Sequence, residues 1–218
     1  MIKKLFLALS ATALLAAPMF AQTADELVEK NIKAQGGEKL KAMKSVRMTG
    51  SMKMGPIEAP FTISKARPEK VKMEFTVQGM TGMQAYDGTT GWAVMPFMGK
   101  TDPEKLAGDQ LDDIKENADF DGPMMDYKAK GNKVEYLGKV EVEGTPAYKL
   151  KVTRKNGNEE NVYLDADNYL EIKSEGKRKI QGQESETETT IGNYKEVDGV
   201  LFATQIENHI KGREGAQT

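Results

Sequence analysis

From residue 44 onward, apolar side chains recur at every second position, the spacing of half-buried β-strands. In the stretch RMTGSMKMG and the valine before it, Val46, Met48, Gly50, Met52 and Met54 share one face, while Arg47, Thr49, Ser51 and Lys53 share the other. The habit continues with Phe61 and Ile63 in APFTISKA, then with Val71, Met73, Phe75 and Val77 in KVKMEFTV, and GWAVMPF follows a turn at Asp87-Gly88. A second series runs through Val134, Tyr136, Val140 and Val142, then Tyr148, Leu150 and Val152, then Val162 and Leu164, and Leu170 and Ile172. A polar strand near Glu184 to Tyr194 and a last one from Leu201 to Ile210 complete it. Turn chemistry at Gly144-Thr145-Pro146, Asn156-Gly157, Asp165 to Asn168 and Asp198-Gly199 separates neighbours, so consecutive antiparallel pairing is predicted.

The helical period appears in three places. TADELVEKNIKAQGG opens with a capping box from Thr23 to Glu26, places Val28 and Ile32 four apart, and stops at Gly36-Gly37. EKLKAMKSV gives a short turn with Leu40 and Met43 on one side. The third, TDPEKLAGDQLDDIKENAD, predicts a helix over Pro103 to Asn117, with Thr101 and Glu104 at its cap and a thin apolar stripe of Ala107, Leu111, Ile114 and Ala118. Asp109, Asp112, Asp113 and Glu116 are expected to face away from the sheet. With Gly and Pro on both flanks, this helix reads either as a mobile cover or as a plain packing helix.

A long antiparallel sheet with so few helices must curl on itself. The fold class expected is therefore mainly β with a few α: an incomplete, strongly curved antiparallel barrel with an N-terminal helix and a helical lid. Its concave face is either filled or left as a cavity, and methionine bears on the choice. Of 13 methionines, Met1 and Met19 precede the predicted helices, and the other 11 lie between Met43 and Met125. Unbranched and polarizable, methionine fills irregular cores and also accepts varied apolar partners. The expected cavity lining is Met48, Met52, Met54, Phe61, Ile63, Met73, Phe75, Trp92, Met95 and Met98, with Leu111 and Ile114 on the lid.

MIKKLFLALSATALLAAPMFAQT has the anatomy of a secretory signal peptide, cut after Ala21. Residues 22–218 are expected to form a single domain in the exported compartment. Removing Lys3 and Lys4 from 31 basic residues leaves 29 against 33 acidic ones, a net charge of −4. The sequence has no cysteine, so neither disulfides nor thiol chemistry is available. His209 is the only histidine, no metal-ligand spacing, nucleophile elbow or phosphate loop occurs, and KSEGKRKIQG lacks interleaved aromatics. No catalytic residue, metal, cofactor or nucleic-acid partner is expected.

SKARPEKVKMEF followed by QAYDGTTGWAVMPF is similar to the hairpin core of the LolA and LolB family of periplasmic lipoprotein carriers and receptors, matching at Arg67-Pro68, Asp87-Gly88, Trp92 and Pro96-Phe97. ADELVEKNIKAQGGEKLKAMKSVRMTG also looks like the opening of LolA-like outer-membrane lipoprotein-sorting proteins. The resemblance implies a half-barrel whose helical lid covers an acyl-chain cavity, with Arg67 holding the lid closed. It implies a monomeric periplasmic carrier of lipidated proteins, with an inner-membrane exporter and an outer-membrane acceptor as partners. A periplasmic lipid- or fatty-acid-binding module, or an envelope-stress sensor, is the alternative on the same fold. The sequence departs from the family in its methionine content, and its KGREGAQT ending leaves the closing strand unaccounted for.

Overall fold

The computed structural model describes residues 22–180, 183–212 and 216–218, so the predicted signal peptide lies outside the described residues. Helix α1 (Ala24–Gln35) begins as expected: the Thr23 hydroxyl accepts from the Glu26 amide at 3.2 Å, and the Glu26 carboxylate accepts from the Thr23 amide at 3.0 Å. Gly36, at φ 136°, ends it, and the short helix α2 (Glu38–Ala42) leads into the sheet.

Strands β1 (Ser45–Met54), β2 (Ile57–Ala66), β3 (Lys70–Val77), β4 (Met80–Tyr86), β5 (Gly91–Met95) and β6 (Lys100–Lys105) form one antiparallel meander. Strands β7 (Lys133–Val142), β8 (Thr145–Thr153), β9 (Glu159–Asp165), β10 (Glu171–Ile180), β11 (Gln183–Val197) and β12 (Val200–Ile210) form a second. The two walls meet through the short strand β13 (Ala216–Gln217), which pairs antiparallel with β1 at Met54 and with β12 at Asn208 and His209. Beyond β13, Thr218 and Lys53 exchange backbone hydrogen bonds. Since β6 and β7 remain edges, the sheet is an open, incomplete barrel, mainly β with few helices, as its period-two patterning dictates.

The third helix is shorter and later than predicted. Residues Lys100–Lys105 pair with β5 through Trp92↔Lys105 and Ala93↔Glu104, so Thr101 and Glu104 cap nothing. Pro103 is tolerated there because an edge strand has an unpaired side on which no amide is needed. Gly108, at φ 55°, resets the backbone, and helix α3 runs from Asp109 to Ala118.

Each wall is covered by its own helix. Leu27 and Val28 of α1 pack on Leu150, Val152, Val162 and Leu164 of the second wall, with Met124 beside them. Ile114 and Ala118 of α3, with half-buried Leu111, pack on Val71, Tyr86 and Leu106 and on Ile63, Met73 and Ala93 of the first wall. Burial of each large aliphatic side chain contributes about 1.5–3 kcal/mol, so the apolar stripe of α3 anchors it firmly. Leu40, Met125 and Val200 close the end between the two.

Candidate functional site

Register decides which side chains share the concave face of the first wall. One row runs Met48↔Ile63↔Met73↔Gln84↔Ala93, and the next runs Gly50↔Phe61↔Phe75↔Gly82. Beyond them, Met52 faces Ala59 and Val77 faces Met80. Helix α3 lies over Ile63, Met73 and Ala93. The second row is roofed differently, by Phe97 from the 3-10 turn Pro96–Met98, whose ring stands 5.6 Å from that of Phe75. Toward the turns the apolar surface opens to solvent: Ile57 is 42% exposed, Met80 39% and Met98 67%.

Two glycines let these rings lie against the sheet. A Cβ at Gly50 would come within 2.7 Å of the Phe61 ring, and one at Gly82 within 2.6 Å of the Phe97 ring. Gly82→Ala should therefore lift Phe97 off the wall and cost about 1–2 kcal/mol in urea unfolding, the scale of an overpacked contact. A cost near zero would mean that the ring has room to retreat.

Of the residues anticipated for the cavity, Met48, Met52, Phe61, Ile63, Met73 and Phe75 share this face, and Met95 joins them by alternation from Ala93. Ile63 and Met73 lie beneath Leu111 and Ile114. Met98 sits at the rim. The side chain of Met54 falls outside what is described. Trp92 is not brought to this face: it pairs with Ala85 and Lys105 and belongs to the row of Arg47, Ser64 and Lys72 on the convex side.

Arg67, at the end of β2, ties three segments together. Its Nε donates to the Met43 carbonyl at 2.6 Å and its NH2 group to the Leu40 carbonyl at 3.1 Å. The same guanidinium grips both carboxylate oxygens of Asp121, just beyond α3, and lies 4.5 Å from the Phe120 ring centroid. Lys130 adds a second tether, donating to Asp119 at 2.6 Å and to the Gly122 carbonyl at 2.6 Å.

The acidic side of α3 does not simply face solvent. Glu116 accepts from Asn156 at 3.0 Å and from Asn158 at 2.7 Å in the β8–β9 turn, with Arg154 at 3.8 Å. One helix thus spans both walls: apolar contacts hold it to the first and hydrogen bonds to the second.

The second wall is more polar inside. Glu171 pairs with Leu164 on the concave side, where burial first, then the charge of Glu160, pushes its carboxyl up to about 8, against the opposing pull of Ser174 and Arg154. Near neutral pH this wall therefore presents an uncharged acid. Its unfolded counterpart ionises near 4.5, so between pH 4.5 and 8 the folded state holds the extra proton and stability falls as pH rises. Glu171→Gln should flatten that slope, losing less stability than the parent between pH 5 and pH 8.5 in urea titrations. Parallel slopes would show that Glu171 ionises normally.

No protein-family model matches the chain, and no curated protein matches it. Its fold is nevertheless shared with solved structures. A LolA superfamily protein from Nitrosomonas europaea superposes with a TM-score of 0.61 at 15% identity, with 90% of each chain covered. A DUF1329 family protein from Desulfovibrio piger gives 0.60 at 13% identity, over 89% of this chain and 88% of that one. A putative outer membrane lipoprotein-sorting protein domain from Vibrio parahaemolyticus gives 0.52 at 14% identity, over 87% and 88%. The fold of this chain is LolA-like.

Proposed function

We propose that this chain is an exported, non-catalytic, monomeric carrier that shields acyl chains of lipidated proteins on the concave face of its first wall. The observation that carries the reading is the partly open row of Phe61, Phe75 and Phe97, continuous with Met52, Val77 and Met80 and bordered by a helix clamped through Arg67. Burying about eight methylenes would contribute roughly 6 kcal/mol at 0.8 kcal/mol each, a useful affinity without any reactive group. Residues 22–218 would work as one domain, α3 serving as the lid. The Vibrio neighbour, whose name refers to lipoprotein sorting, is consistent with such a role, and delivery would run through a periplasm, from an inner-membrane exporter to an outer-membrane acceptor.

The test is the native mass of the mature chain, exported, purified without detergent and sprayed intact. A complex with an acylated protein or peptide is the expected result. Bound free fatty acid or phospholipid would instead make it a lipid-binding or sensing module. An empty chain that also fails to take up added acylated peptide would refute the carrier.

A further inference from the structure

The convex face of the first wall carries a second feature, independent of the acyl-chain reading and on the opposite side of the sheet. A cross-strand row runs Arg47↔Ser64↔Lys72↔Ala85↔Trp92↔Lys105. Long side chains alternate with the small Ser64 and Ala85, and the result is a groove of about 540 Å³ with Ser64, Ala66 and Ala85 along it and Trp92 in its lining. Neighbouring strands lie about 4.8 Å apart, so five steps make the row roughly 24 Å long.

The groove is cationic in a chain that is not. The full sequence has 31 basic and 33 acidic residues, yet Arg47, Lys70 and Lys72 line this groove with Asp87 as the one acidic residue among the described lining. Asp87 is already engaged, accepting from the Thr89 and Thr90 amides at 2.8 Å each. Lys72 pairs with Glu74 on its own strand, whereas Arg47 and Lys105 form no salt bridge among the described residues; the Lys105 ammonium lies 5.4 Å from the Trp92 ring centroid.

We infer that this groove is a docking site for an acidic, extended segment of a partner protein. Its carboxylates would meet Arg47, Lys72 and Lys105 while an apolar side chain between them packs on Trp92. Charge complementarity selects the sign of the partner. Shape selects the class: a groove with small residues along it admits a chain, whereas a flat bilayer cannot follow it. Three large apolar residues that could enter a bilayer, Ile57, Met80 and Met98, lie at the strand ends and turns bordering the concave surface instead. A partner docked on the convex side leaves that surface free.

Trp92 is the only tryptophan in the chain, so its fluorescence reports on the groove directly. The mature protein is titrated at low salt with a blocked eight-residue peptide of alternating glutamate and valine, with its lysine-valine counterpart, and with phosphatidylglycerol vesicles. Saturable change with the glutamate peptide alone is expected, weakened at least tenfold by the double variant Arg47→Glu and Lys72→Glu and by 0.5 M salt. Both side chains are exposed, so the variant should stay folded, its urea midpoint lowered only slightly by the loss of the Lys72–Glu74 pair. No saturable change, an equal response to the lysine peptide, binding that ignores the charge reversal, or a response to vesicles alone would each overturn the inference.

Discussion

Phe75→Asp is expected to weaken binding of an acylated peptide at least a hundredfold, equivalent to about 2.7 kcal/mol. Phe75 occupies the middle of the open row, opposite Phe61 on β2 and against the ring of Phe97. A carboxylate there would draw water onto the surface that an acyl chain must dry, and a buried unpaired charge is far costlier than the lost ring. Thr76→Asp, on the convex side of the same strand, is the matched control and should bind like the parent. Because Phe75 also contributes to packing, Met80→Asp at the exposed rim is the companion variant, with a loss of about tenfold expected from the apolar contact it removes. Unchanged affinity in both concave variants would move the acyl chain elsewhere.

Arg67→Ala should be the most damaging substitution to the closed arrangement of α3. The guanidinium satisfies two backbone carbonyls and the paired oxygens of Asp121, and both side chains are largely shielded from water. Removing one member of such a pair strands the other, at a cost of about 3–5 kcal/mol. Asp121→Asn alone should cost less, since the amide oxygen can still accept one hydrogen bond. The double variant should cost much less than the sum of the two singles. The distinctive readout is amide hydrogen exchange, which should accelerate through Asp109–Ala118 well before the second wall responds. Uniform acceleration across both walls would make Arg67 a general stabiliser rather than a tether of the helix.

How far the sequence reveals this arrangement depends on whether the relevant signal is local. Period two marks the strands because side chains alternate across a sheet, and the Thr23–Glu26 cap is a contact over three residues. The start of helix α3 is not legible in the sequence, because Thr101, Pro103 and Glu104 fit a helix N-terminus as well as an edge strand, and pairing with β5 decides the matter. Alternation could have separated Trp92 from Met95, since residues three apart in a strand point to opposite faces. The Arg67–Asp121 grip spans 54 residues, and the Glu116 contacts reach 40 and 42 residues ahead. Neither local pattern announces them; the family resemblance points to Arg67 as the clamp of the lid, but not to Asp121 as its partner. The raised carboxyl of Glu171 is likewise set by neighbours the fold supplies, not by the residues beside it in the chain.

Whether an acyl chain lies on the concave face of the first wall can be read by photocrosslinking. A dipalmitoylated peptide with a diazirine near the end of one acyl chain would be bound, irradiated, digested and mapped. Adducts on Met52, Phe61, Phe75, Met80 or Phe97 are predicted, with few at Trp92 or on the second wall. Adducts concentrated at Trp92 and its convex neighbours, or spread evenly over the surface, would rule out the concave face as the acyl-chain site.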